Sequence, residues 1–204
     1  SDLIAKEKYH ADWVINVDAD EFWWTPLRNL KKAIGNYPHN NIIYVPLKNM
    51  VPEEGLTWIE WSNVVLNSIE NYEVEGLSKY SLYRSPIPKV IHRTQFYQII
   101  SRGNHQVQML FEASVLSKDI MIYHYPIRGY KHFENKTIRG GEAYLHNPNK
   151  TQGVHWRFWY SLYQKGALIN EFSRVIGIDK ISDFKKRGII GTDIRFLKYL
   201  RVVC

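Results

Sequence analysis

Three carboxylates stand within four residues at Asp18-Ala19-Asp20-Glu21, directly behind the apolar run Trp13-Val14-Ile15-Asn16-Val17. Like charges this close repel one another, so a fold keeps them together only where something positive binds. Asp18 and Asp20 lie two apart, and in an extended or tightly turning segment both can present oxygens to one divalent ion. Mg²⁺ or Mn²⁺ suits such a site, because its octahedral shell keeps room for water and phosphate oxygens. A solvated acidic turn that caps the following helix would use the same residues, and a bare Asp-x-Asp favours that plainer reading. The strand-end position and the flanking aromatics shift the balance toward a ligand site.

The elements that must position this cluster are legible in outline. Residues 13–17 are short, apolar and β-branched with little alternation, which predicts a strand covered on both faces, as in a parallel α/β sheet. Thr25 as N-cap, Pro26 at the first helical position, then Leu27, Leu30, Ile34 and Tyr37, predict a helix ending near Gly35-Asn36. Residues 41–47 read as a strand stopped by Pro46, and residues 50–75 as a long functional loop or lid. Further strands are expected within 87–100, 106–115 and 120–123, the last running into His124-Tyr125-Pro126. Helices are expected over 130–144, interrupted at Gly140-Gly141, over 155–172 and over 192–201.

Composition narrows the classes. The chain has 204 residues, 45% hydrophobic and 14% aromatic, enough to build a core without staples. Cys204 is the only cysteine, which excludes an internal disulfide and a cysteine-based zinc or iron–sulfur module. No run of about 18 apolar residues occurs and no secretion signal is visible, so a cytoplasmic location is expected. Charge is uneven: residues 1–75 carry six Lys or Arg against twelve Asp or Glu, and residues 76–204 carry twenty-one against eight. Such asymmetry suits a cleft that holds both a cation and an anionic ligand, and equally two unrelated solvated faces. Residues 180–204 hold seven cations against two anions, which would suit phosphate backbones or peripheral contact with an anionic membrane surface.

The segment Ala11-Asp12-Trp13-Val14-Ile15-Asn16-Val17-Asp18-Ala19-Asp20-Glu21-Phe22 resembles the Asp-x-Asp region of glycosyltransferase family 2-like proteins with the GT-A fold. Later pieces are similar to the same subgroup, in the same order: Pro88-Lys89-Val90-Ile91, Gly103-Asn104-His105, and Ile122-Tyr123-His124-Tyr125-Pro126-Ile127-Arg128 with Phe133, Lys136 and Gly140-Gly141. The resemblance covers residues 4–144. It implies an α/β, GT-A-like (Rossmann-like nucleotide-diphospho-sugar transferase) mixed sheet flanked by helices, with a helical C-terminal region. Residues 1–150 would be the C-terminal portion of a catalytic domain and 151–204 a helical basic extension packed on it. Such domains carry several strands before their Asp-x-Asp segment, and seventeen residues precede Asp18, so the chain is expected to be part of a longer enzyme.

What the resemblance implies chemically is a metal-dependent, inverting transfer of a sugar from a nucleotide-diphosphate sugar to an acceptor hydroxyl on a glycan, a lipid-linked molecule or a protein. Asp18, Asp20 and His124 would hold the Mn²⁺ or Mg²⁺, with Glu21 in support and His105 as the competing imidazole. Arg128 and Lys136 would reach the diphosphate. The general base would be Glu112, with Glu134 as the alternative, and Glu60 or Glu70 remains open. Trp58 and Trp61 could stack on an acceptor sugar, although buried packing is the commoner fate of Trp. Two other classes stand beside this one. A metal-dependent phosphatase or nuclease would use the same acids with some of His92, His105 and His124, but needs more ligands than the sequence offers. A non-enzymatic polyanion binder would use the basic second half, though no nucleic-acid motif is present and no nucleic-acid partner is expected.

Overall fold

The computed structural model describes residues 2–203, so Cys204, the expected lone thiol, lies outside the described residues. The chain opens with helix α1 (Asp2–Tyr9), strands β1 (Trp13–Ile15) and β2 (Glu21–Trp24), and helix α2 (Leu30–Gly35). Strands β3 (Ile42–Val45), β4 (Leu47–Asn49), β5 (Asn63–Val65), β6 (Lys89–Arg93), β7 (Tyr97–Ile100), β8 (Val107–Met109), β9 (Ser114–Leu116) and β10 (Met121–His124) follow. Helices α3 (Tyr130–Leu145), α4 (Val154–Gln164), α5 (Leu168–Ile176) and α6 (Ile181–Lys186), strand β11 (Ile190–Thr192) and helix α7 (Arg195–Val203) complete it. The protein is therefore mixed α/β, and it divides into two compact units, Ser1–Lys48 with Pro86–His124, and Asn49–Ser85 with Tyr125–Cys204. Among the described residues no helix is long and apolar enough to cross a membrane.

In the first unit a mixed sheet has the strand order β1-β6-β3-β9. The central strand is β3, antiparallel to β6 and parallel to β9. Its unbroken apolar run is explained by cover on both faces. Ile43 and Val45 pack with Ala33, Ile34, Ile91 and Ile122, whereas Ile42 packs with Val90, Val107 and Met109. The run at residues 13–17 had the same appearance but has a different fate. β1 is an edge strand, half-buried and paired antiparallel with β6 alone, so the expected buried parallel strand is corrected. Trp13 at its start is covered by the Arg93 guanidinium, 4.4 Å above the ring, which shields apolar surface that no second strand covers.

The helix expected from Thr25 starts later. Arg28 N donates to Thr25 O (3.1 Å) and Leu27 N to the Thr25 hydroxyl (3.3 Å), closing a turn around Pro26. Arg28 takes a left-handed φ of 52°, which halts propagation, and Asn29 caps α2 by accepting from Lys32 N at 3.0 Å. A small sheet, β2-β10-β4, is also present, with β2 and β10 antiparallel.

The second unit is built on helices. α3, α4 and α5 bury Phe133, Trp159, Leu168, Phe172 and Val175 in one cluster with Leu77, Leu82, Tyr83 and Phe184. Gly140-Gly141 does not interrupt α3. A Cβ on Gly140 would lie 2.5 Å from the Trp156 ring, and one on Gly141 would lie 2.3 Å from Tyr160, so the pair exists to let α4 approach α3. Because α3 and α4 pack this closely, residues on both sides of 150 share one unit, and the compact units divide elsewhere than at the expected boundary. The helix expected over 155–172 is two helices, broken where Gly166 adopts φ 68°. Within the expected lid at 50–75, β5 pairs antiparallel with β11, giving part of that stretch regular structure.

Two outcomes test this packing. Gly141→Ala gains roughly 1 kcal/mol of helix propensity but forces α4 away. A net loss of about 1–3 kcal/mol is expected in urea denaturation, and a stabilised variant would contradict the close approach. His155 sits against Tyr80, Trp156 and Trp159, and burial, followed by the charges of Lys136 and Arg84, holds its imidazole below the ordinary value of 6.5. Its folded form therefore favours the neutral ring. That contribution is complete above the unfolded value and declines as pH falls below it toward the lower folded value. Wild type should lose stability relative to His155→Gln between about pH 7.5 and about pH 5, and a constant difference across that range would refute the assignment.

Candidate metal and ligand turn

Asp18 to Glu21 closes as a tight turn between β1 and β2: Glu21 N donates to Asp18 O at 3.0 Å, and Asp18 N to Glu21 Oε2 at 3.4 Å. The positive partner demanded by three adjacent carboxylates is present in the chain itself. Lys89, the first residue of β6, places Nζ 2.7 Å from Asp18 Oδ2 and 2.8 Å from Glu21 Oε1. The Lys89 and Glu21 side chains are only 4% and 1% exposed, and that of Asp18 is 53% exposed. Burial pulls the Lys89 ammonium down, but its hydrogen bonds to Asp18 and Glu21 outweigh that and hold it above the usual lysine range. Lys89 escaped the sequence reading as a functional group. The signal that could have found it is a lysine opening a buried strand, Lys89-Val90-Ile91, beside unbalanced acids.

Asp20 turns elsewhere. Its Oδ2 lies 3.7 Å from His124 Nε2. The strand pairing brings these residues together, because β2 and β10 run antiparallel in a register that sets His124 opposite Glu21. Asp20 and His124 thus offer one oxygen and one imidazole nitrogen, donors that Mn²⁺ and Mg²⁺ accept, and such ions are commonly held by one or two protein ligands with phosphate oxygens and water. Among the described residues no three His, Cys, Asp or Glu side chains gather as a metal-ligand group. A two-ligand site fits these residues. A three-ligand site that adds Asp18 is not formed among the described residues, and Asp18 Oδ2 contacts Lys89 instead.

The remaining expected residues are dispersed. His105 donates from Nδ1 to the Pro88 carbonyl at 3.0 Å and so braces the start of β6. Glu112 is exposed in the segment between β8 and β9, which Asn41 clips by accepting from Ala113 N at 2.8 Å. Glu134 belongs to the second unit, on α3, ion-paired with Lys131 at 2.6 Å. The Lys131 hydrogen bond holds its carboxyl below the ordinary range, which makes it a poorer base. Arg128 and Lys136 also belong to the second unit. The Arg128 guanidinium lies over Trp58 at 5.1 Å, and Lys136 Nζ donates to the Pro126 carbonyl at 3.3 Å. Trp61 is buried and stacked on Tyr125, so it fills the core and offers no face to a sugar. In the basic segment 180–204, Arg187 pairs with Glu75 and Asp183, and Arg195 with Asp193, so part of that charge is spent internally.

The buried pair and the exposed acid should separate in stability. Glu21→Ala leaves Lys89 buried with one exposed partner, and a loss of about 3–5 kcal/mol is expected. Asp18→Asn should cost about 1 kcal/mol or less, because its pairing is half in solvent. Chemical denaturation reads both, and equal losses would show that the burial asymmetry is energetically irrelevant. Compared with known proteins, the chain matches no family model and no curated protein.

Proposed function

We propose that the protein is a metal-dependent glycosyltransferase of GT-A-like fold, which moves a sugar from a nucleotide-diphosphate donor to an acceptor hydroxyl with inversion. The observation that carries this reading is the Asp20–His124 pair, two residues far apart in sequence that meet at the end of the antiparallel β2–β10 pair. The resemblance of residues 11–22 and of the His124-Tyr125-Pro126 segment to glycosyltransferase family 2-like proteins supports it. Asp20, His124 and Glu112 all belong to the first unit.

Asp20 and His124 would hold a Mn²⁺ or Mg²⁺, whose charge would balance that growing on the departing diphosphate. Glu21 does not reach toward the ligand: its two oxygens are engaged by Lys89 and by the Asp18 amide, so it holds the turn in shape. The acceptor oxygen would attack the anomeric carbon opposite the bond to the diphosphate, and a carboxylate must take the acceptor's proton as that bond breaks. Glu112 is the carboxylate we assign to this step, because Glu134 is tied to Lys131. Lys89 offsets part of the repulsion in the turn by pairing with Asp18 and Glu21, and Asp20 Oδ2 lies 3.7 Å from His124 Nε2.

Thermal stability measured against nucleoside diphosphates with and without Mn²⁺ should show a shift that needs both, lost in Asp20→Asn. A shift that survives Asp20→Asn, or the lack of any Mn²⁺-dependent shift, would sink the reading. In turnover of a nucleotide sugar, Glu112→Gln should lower the rate by about 10²–10⁴ with donor binding unchanged. A wild-type rate in that variant would remove Glu112 from the mechanism.

A further inference from the structure

We propose that the outer face of the β7–β8 hairpin is a glycan-binding surface, and that the acceptor of the transfer is an uncharged glycan. The surface stands on the hairpin itself, and its role as acceptor site rests on the transferase reading above. Cross-strand pairing sets which residues share that face. Tyr97 pairs with Met109 and Ile100 with Val107, and these four pack inward with Ile42 and Val90. Side chains alternate along a strand, so Ile99 and Gln108, opposite each other in the same register, turn outward and are exposed. Leu110 turns outward too, and its amide donates to the Phe96 carbonyl at 2.9 Å. A bulge between Tyr97 and Ile99 leaves Gln98 exposed as well. The Phe96 ring meets Phe111 edge-on with centroids 5.3 Å apart, and Leu110 and Phe111 are 62% and 68% exposed. Phe96 adopts φ 67°, a left-handed backbone that is an outlier for a bulky side chain, and strain of that kind gathers at ligand sites.

The chemistry of the face selects its occupant. Four of the chain's six glutamines, Gln95, Gln98, Gln106 and Gln108, fall in or beside the hairpin, and all four are exposed. None of the outward side chains named above carries a charge, so an ionic ligand finds no counter-ion there. A sugar ring presents an apolar C–H face and a rim of hydroxyls. Aromatic rings take the first, and amides that both donate and accept take the second. A bilayer would bury the Gln98 and Gln108 amides without partners, and no outward cation stands ready for an anionic headgroup. A stable interface with a second copy takes about 20–30 residues a side, far more than the hairpin offers. Glu112 follows Phe111 directly and is exposed, so a glycan held on this face meets the chain segment that carries the carboxylate assigned to its proton.

The test is calorimetric titration of the protein with maltohexaose, cellohexaose and chitohexaose, and with the anionic hexamer of galacturonate for comparison. At least one neutral hexamer should bind, and the galacturonate hexamer should not. Phe111→Ala and Gln108→Ala, both at exposed positions, should each weaken that binding about three- to tenfold with the melting temperature unchanged. In both variants the thermal shift with uridine diphosphate and Mn²⁺ should keep its wild-type size. In turnover of a nucleotide sugar, their KM for the bound hexamer should rise while kcat holds. Binding of no neutral hexamer, equal binding of galacturonate, or wild-type affinity in either variant overturns the glycan surface and leaves the donor reading standing. Partition into phosphatidylcholine vesicles, or self-association in sedimentation, that Phe111→Ala abolishes would assign the face to lipid or to a second copy and overturns the proposal likewise. Glycan binding by a protein that shows no Mn²⁺-dependent shift with uridine diphosphate overturns the transferase reading and the acceptor role with it, while the glycan surface stands.

Discussion

The buried ion pair between Lys89 and Glu21, shared with the exposed Asp18, is the constraint around which the first unit is arranged. A lysine ammonium removed from water loses its hydration, and only close carboxylates with good geometry can offset that. Here the two carboxylates come from one four-residue turn, so satisfying the lysine also folds the turn. The same contact links the start of β6, a strand of the mixed sheet, to the start of β2, a strand of the three-stranded sheet. His105 adds a second brace on the Pro88 carbonyl one residue before Lys89. Mutual repulsion within Asp18-Ala19-Asp20-Glu21 is thereby reduced, and the third acid lies 3.7 Å from His124.

Strand register controls the other half of the site. His124 reaches Asp20 because β10 pairs with β2 in a register that places Ile122 opposite Trp23 and His124 opposite Glu21. Side chains alternate along a strand, so a slip of one residue would turn His124 to the opposite face and bury its neighbour's polar group instead. The buried Ile122, packed with Ile43, Val45 and Ile91, fixes that register from the core side. Ile122 and His124, two residues apart, share one face of β10, so the apolar packing of the first sets the position of the imidazole beside it.

The second unit shows the same dependence of local structure on distant partners. Gly140-Gly141 is poor helix sequence, yet α3 runs through it, because Trp156 and Tyr160 of α4 occupy the space a side chain would fill. Aromatic rings then carry the packing: Phe133 meets Trp159 edge-on at 4.9 Å, and Tyr83 meets Phe184 at 4.8 Å. Glu171, buried among these helices, is held by the Ser78 hydroxyl and by Arg174, so this buried acid is paired.

By itself the sequence determined the mixed α/β character, most strand and helix locations, the clustering of acids after an apolar run, and the end of a strand at His124. These are properties of local composition: apolar runs need cover, and Pro and Gly punctuate elements wherever they occur. Only the tertiary structure decided which apolar run became central. Residues 13–17 and 42–45 look alike, but the second lies between β6 and β9 and has α2 and β10 residues packed on one face and β8 residues on the other, whereas β1 is left at the edge. Tertiary structure also decided that Asp18 faces a lysine of the same chain, that α3 tolerates two glycines, and that Trp61 lies in the core. Each of these depends on a partner many residues away, and no local pattern encodes which distant side chain arrives.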